Sequence, residues 1–225
     1  MEGLKNSKNS QDAPKNRSRY ILLNTLSSYG RDFVDIMAFL VLIPFIIQAI
    51  GKEGFGLWSL LWSFLGIFEL ADLGFAASVV KYVADARGKQ DDQRLKRIIC
   101  TLFWIYVFLG TLVMTGILGS LLFFNQIFQI PSDQANAANT VLMILGVRTS
   151  LYLPLGMFRG VLVGYQKMMV ANIYKASANV LYLVAVLIFL SISPDIRVLA
   201  IINSVTGLLP MFAMMIHVKK MAPDL

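Results

Sequence analysis

YGRDFVDIMAFLVLIPF, Tyr29–Phe45, decides which solvent this chain folds in. Apolar residues follow one another with no period-2 alternation, and the run continues in both directions past its ends. Yet Arg31, Asp32 and Asp35 sit within its first turns. Outside the stretch the same bias holds, because 57% of the 225 residues are hydrophobic and 15% are charged. A soluble domain is roughly 45–50% apolar and about 25% charged. There is too little charge here to cover a water-facing surface, so the composition predicts an all-α protein whose solvent is the bilayer.

Six apolar segments are long enough to cross a membrane, which takes about 20 residues. They are predicted at 20–49, 55–80, 98–124, 138–161, 171–191 and 198–217, and together they make a six-helix membrane lobe over 20–217. Residues 1–19 have the polar, basic, Asn- and Ser-rich make-up of a disordered tail, and 218–225 form a short polar end. The separators carry turn chemistry. GKEGFG (Gly51–Gly56) reads as a glycine hairpin, Asp91 and Asp92 as helix caps, and NQIFQIPSDQ and SPD as loops.

Charge sets the direction. The tail, the loop from Lys81 to Arg97, and Arg159, Lys167, Lys175, Lys219 and Lys220 fall on one side. The other side has Lys52 and Arg197. The positive-inside rule then predicts a multi-pass protein of the cytoplasmic (inner) membrane with both termini cytoplasmic. The net charge of +7 is accounted for by topology and contact with anionic membrane lipids, so nucleic acid is not an expected partner. Tyr20, Trp58, Trp104 and Tyr165 fall near span ends and read as interfacial anchors.

Several chemistries are excluded early. Cys100 is the only cysteine and His217 the only histidine, which leaves no disulfide, no His-based zinc site and no His–nucleophile pair within the spans. GKEGFG lacks the spacing of a phosphate-binding loop. No metal or organic cofactor is expected, and the chain does not read as an enzyme.

The charges in the opening stretch need a different account. Counting about 1.5 Å per residue from Tyr20 places Arg31 near the middle of a core about 30 Å thick, and Arg148 in the fourth span falls at a similar depth. An exposed charge there costs from about 2.5 to more than 10 kcal/mol, so these faces must meet protein, water or a partner. Arg31 and Asp35 are i, i+4 and share a face with Ser28, whereas Asp32 points about 100° away. Glu69 and Asp72 add an i, i+3 pair in the second span, and Asn172, Asn179 and Asn203 extend the polar inventory. Two readings stay open. Either the carboxylates neutralise Arg31 and Arg148 and fix helix register, or the arginines bind an anionic ligand, with phosphate the best fit to their forked donors. In the second case Asp32, Asp35, Glu69 and Asp72 tune the arginines or exchange a coupling ion, H+ or Na+.

The stretch Leu42–Asp91, LIPFIIQAIGKEGFGLWSLLWSFLGIFELADLGFAASVVKYVADARGKQD, resembles the start of the polysaccharide-exporting flippases, the Wzx-type O-antigen and capsule transporters. The matching positions are Pro44, Gly51, Glu53, Gly54, Phe55, Gly56, Leu57, Asp72, Leu73 and Gly74, in that order and spacing. The remaining four spans match by hydropathy. The resemblance implies a superfamily fold of two six-helix lobes around a cavity that opens alternately to each side. It also implies a substrate, an undecaprenyl-pyrophosphate-linked oligosaccharide, flipped across the membrane for O-antigen or lipopolysaccharide biosynthesis. Cationic cavity residues would hold the pyrophosphate; Arg31 and Arg148 take that role by depth and not by motif. Family members have two lobes, so this chain is expected to be the N-terminal half: a fragment, a truncated frame or one part of a split transporter, partnered by a second lobe or by its own copy. The alternatives are a cation-coupled multidrug-type extruder and a non-transporting membrane fragment.

Overall fold

The structure, a computed structural model, describes residues 5–69 and 75–221. The side chains of residues 5–24, Ser27, Arg31, Val34, Glu69 and Phe75 lie outside the described residues. Seven helices follow one another: α1 Lys5–Glu69, α2 Phe75–Gly88, α3 Asp92–Ser120, the one-turn α4 Phe124–Ile127, α5 Ser132–Gly164, α6 Met168–Ile192 and α7 Ile196–Met221. No strand occurs among the described residues. Among the described residues, five helical stretches are long and apolar enough to cross a membrane: Ser28–Phe68, Asp92–Ser120, Ser132–Gly164, Met168–Ile192 and Ile196–Met221. The protein is an all-α membrane bundle. The backbone of α1 begins at Lys5, inside the polar segment expected to be a disordered tail.

α1 is not one rod. A straight helix of the 41 residues Ser28–Phe68 would measure about 60 Å, twice the hydrocarbon thickness of about 30 Å. The chain breaks at Gly51, whose φ of 77° and ψ of 168° belong to a region that is essentially glycine's alone. There the helix folds back on itself, since Phe39 and Leu42 of the first limb and Trp58 and Trp62 of the second line one cavity. The turn expected over Gly51–Gly56 is thus confined to Gly51, and residues 52–56 are already helical.

The helix ends gather into two sets. At one end Gln134 donates to Glu53 at 3.3 Å, and Ile50, Glu53, Gln134, Pro194 and Asp195 share a pocket. At the other, Arg87 donates to the Tyr165 carbonyl at 3.1 Å and stacks over the Tyr165 ring at 4.5 Å. Tyr174 Oη and His217 Nδ1 meet there at 3.2 Å. The Arg87 end is strongly basic and the Glu53 end is mixed in charge, so folding collects in space what is scattered in sequence. Asp91 caps α3 by accepting from the Arg94 amide at 2.8 Å, and Asp195 accepts from the Arg197 amide at 2.7 Å to cap α7. Asp85 lies between Lys89 at 2.9 Å and Arg94 at 3.2 Å; the Lys89 hydrogen bond holds its carboxyl below the ordinary value. Burial pushes the Tyr165 phenol up, with the Arg87 cation pulling the other way.

Small residues let the backbones approach, the usual basis of helix packing in lipid. In α5, GMFRGVLVG places Gly156, Gly160 and Gly164 at intervals of four. A Cβ on Gly160 would meet Val79 Cγ1 at 3.0 Å, and one on Gly164 would meet Val83 Cγ1 at 2.7 Å, so α2 lies directly on this face. On α3, a Cβ at Gly110 would come within 2.5 Å of the Ser150 carbonyl oxygen. That carbonyl has no partner amide because Pro154, four residues on, carries no N–H. Gly164→Leu is expected to lower stability by about 1–3 kcal/mol, the range for overpacking a tight contact. Gly119→Leu, which enters open space, should leave the unfolding midpoint in detergent unchanged.

Candidate functional site

The site starts from a register. Asn172 Nδ2 on α6 donates to Ser28 Oγ on α1 at 3.2 Å, and Asn179 Nδ2 donates to Asp35 Oδ1. Both pairs are separated by 144 positions, so the first limb of α1 and α6 run parallel and in step, each presenting polar groups seven residues apart. The same offset sets Leu42 against Val186 and Ile46 against Leu190, all buried. The interface is therefore polar toward the basic end and apolar toward Gly51. Lys175 Nζ on α6 approaches the second Asp35 oxygen at 4.0 Å.

Above this junction the two limbs of α1 diverge and leave a cavity of about 510 Å3 against α6 and α7. Asp35, Trp58, Trp62, Asn179, Tyr182 and Asn203 give it its chemistry. Trp58 and Trp62 are edge-to-face with centroids 5.9 Å apart. The side-chain amide of Asn203 hydrogen-bonds with Tyr182, and its Oδ1 is buried with no partner of its own. Aromatic faces with amides and one carboxylate can hold a polar, hydroxyl-rich group or a cation. Asp35, with a third of its side chain accessible, can accept from either.

Arg148 abuts this cavity without lining it. Its guanidinium lies over Trp62 at 5.0 Å and over Tyr152 at 5.7 Å, contacts that hold a half-buried cation by roughly 2 kcal/mol where water is excluded. Gly207 makes room for it, since a Cβ there would sit 3.1 Å from Arg148 Nε. Trp62 thus has the cavity on one side and the cation on another.

The profile of the polysaccharide biosynthesis protein family matches residues 21–223. The chain belongs to this family. No curated protein and no solved structure matches it. A polysaccharide biosynthesis protein built as an all-α membrane bundle acts in polysaccharide synthesis or export.

Within this family member the expected site residues part company. Asp35 faces the cavity, but its partners are Asn179 and Lys175. The Arg31 side chain, the Glu69 side chain and the whole of Asp72 and Gly74 lie outside the described residues. Counted from the end containing Gly51 and Pro131, positions 31 and 148 are about 20 and about 17 residues down their helices, within about one turn in depth. Asp32 is exposed, on a different face from Asp35. Of the motif residues, Gly51 makes the turn, Glu53 ties it to Gln134, a Cβ on Gly54 would meet the Ile50 side chain at 3.3 Å, one on Gly56 would enter open space, and Pro44 lies within the first limb of α1. Trp58, expected as an interfacial anchor, is instead buried in the cavity wall, because the fold-back at Gly51 turns its face inward. Lys175, Trp62 and Tyr182 went unrecognised as site residues. The matched seven-residue spacings Ser28/Asp35 and Asn172/Asn179 were the one signal that could have paired their helices.

Proposed function

We propose that the protein flips an undecaprenyl-pyrophosphate-linked oligosaccharide from the cytoplasmic to the outer leaflet of the cytoplasmic membrane. It does so as one six-helix lobe working against a second lobe or a second copy, and without covalent chemistry of its own. The observation that carries this reading is the cavity walled by Trp58, Trp62, Asn179, Tyr182, Asn203 and Asp35 in an otherwise apolar bundle of a polysaccharide biosynthesis protein. Ring faces and polar side-chain amides suit sugar hydroxyls. Arg148, stacked on the cavity wall, and Arg31 supply the cations for the pyrophosphate. Asp35 exchanges the coupling ion, H+ or Na+, or tunes the charge balance with Asp32, Glu69 and Asp72. The basic end carrying Arg87, Lys89, Arg94 and Lys167 faces the cytoplasm, as do both termini.

A second reading has its own observation. The one ionised side chain lining the cavity among the described residues is the carboxylate of Asp35, which suits a cation-coupled extruder of small cationic compounds. Depleting the protein in its host separates the two. Export predicts lipid-linked oligosaccharide accumulating in the inner leaflet and loss of surface polysaccharide. Unchanged polysaccharide with slower efflux of cationic dyes would select the extruder.

A further inference from the structure

A second, smaller cavity of about 260 Å3 lies on the α2–α3 side of α5, walled by Tyr106, Thr149, Tyr152, Met157 and Arg159, with Ala76 of α2 at its edge. Two of its polar atoms, one on Thr149 and one on Arg159, have no hydrogen-bond partner. Three serine and threonine hydroxyls are buried among the described residues. Ser150 donates to the Gly146 carbonyl at 2.9 Å and Thr206 to the Ile202 carbonyl at 2.7 Å, the usual four-residue back-bond of a helix. Thr149, only 3% exposed, lines the cavity but makes no such bond, and its Oγ1 is buried without a partner. Arg159 Nε is likewise buried and unpartnered.

This arginine is well placed to escape. It lies five residues before the end of α5, about 8 Å from the polar boundary, and a side chain there ordinarily snorkels outward. It lines the slot instead, its Cα–Cβ bond tilted, like every other in α5, back toward the helix start and the membrane interior. A guanidinium in an apolar bundle needs an anion, and no carboxylate lines this slot among the described residues. Arginine Nε and Nη donors with a threonine hydroxyl match the tetrahedral oxygens of a phosphate.

We propose that the Arg159–Thr149 slot binds the phosphate group of an anionic membrane lipid. The site is separate from the larger cavity and does not depend on the export reading. A polyprenyl pyrophosphate and an ordinary glycerophospholipid head group both present this chemistry.

The test uses the full chain in phosphatidylcholine nanodiscs, titrated calorimetrically with farnesyl pyrophosphate. Arg159→Gln should weaken binding by about tenfold or more and Thr149→Val by about threefold to tenfold, whereas Arg197→Gln, at the opposite end of the bundle, should have no effect. Thermal unfolding without ligand identifies a variant that has merely lost its fold; Thr149→Val, nearly isosteric, then carries the test. Adding phosphatidylglycerol distinguishes the sources: competition in the wild type assigns the slot to bulk head groups, and its absence to the polyprenyl phosphate. Equal affinity in wild type, Arg159→Gln and Thr149→Val would overturn the proposal. So would a wild type that binds neither lipid and gains binding with Glu69→Gln or Asp72→Asn, because the chain's own carboxylate would then be the anion.

Discussion

Asp35→Asn in the complete transporter should cut surface polysaccharide about tenfold or more while the protein still inserts, and adding Lys175→Met should not restore it. Asp35 accepts from Asn179, faces Lys175 at 4.0 Å and retains access to the cavity. If its task were only to neutralise Lys175, removing both charges would leave nothing uncompensated. Replacing both members of a partly buried pair is often neutral or stabilising, whereas removing one is costly. A carboxylate that binds substrate or exchanges an ion cannot be replaced this way. Export measured for the two single variants and the double variant therefore separates the roles, and full recovery in the double variant would sink the functional one.

Arg148→Ala should abolish export to a comparable extent, with Arg148→Lys recovering only part of it. Lysine keeps the charge but loses the flat, forked cation that lies over Trp62 and Tyr152. Truncation to alanine also leaves a void beside Gly207, so the measurement needs membrane levels and detergent-stable unfolding alongside polysaccharide output. Normal polysaccharide from inserted Arg148→Ala would remove this residue from pyrophosphate binding. Trp62→Ala complements it. Loss of export there with Arg148 intact would place the requirement in the ring that the cation and the cavity share.

The sites themselves divide by how their evidence arises. Asp35 stood out in the sequence because a carboxylate inside an apolar run has to face something other than lipid. What it faces could not be read there. The i, i+4 spacing offered Arg31, yet the described partners come from α6, 140 and 144 positions away. Arg159 was hidden for the opposite reason. Close to a span end, it counted as one more topogenic charge, and only the fold shows its Nε buried without a partner. Thr149 is unremarkable in sequence, since a helical threonine normally satisfies itself with its own backbone.

The sequence by itself determined the solvent, the all-α class and the clustering of basic residues, because hydrophobic length and charge bias act locally along the chain. The family was legible as well, from the ordered motif between Leu42 and Asp91. The tertiary structure alone decided the single-residue fold-back at Gly51, the parallel register of α1 with α6 that gives Asp35 its partners, the inward turn of Trp58 and the placement of Arg148 behind Trp62. It also left the buried Nε of Arg159 without a hydrogen-bond partner. Those depend on which helix faces which, and facing is set by small-residue contacts and polar pairs between segments far apart in sequence.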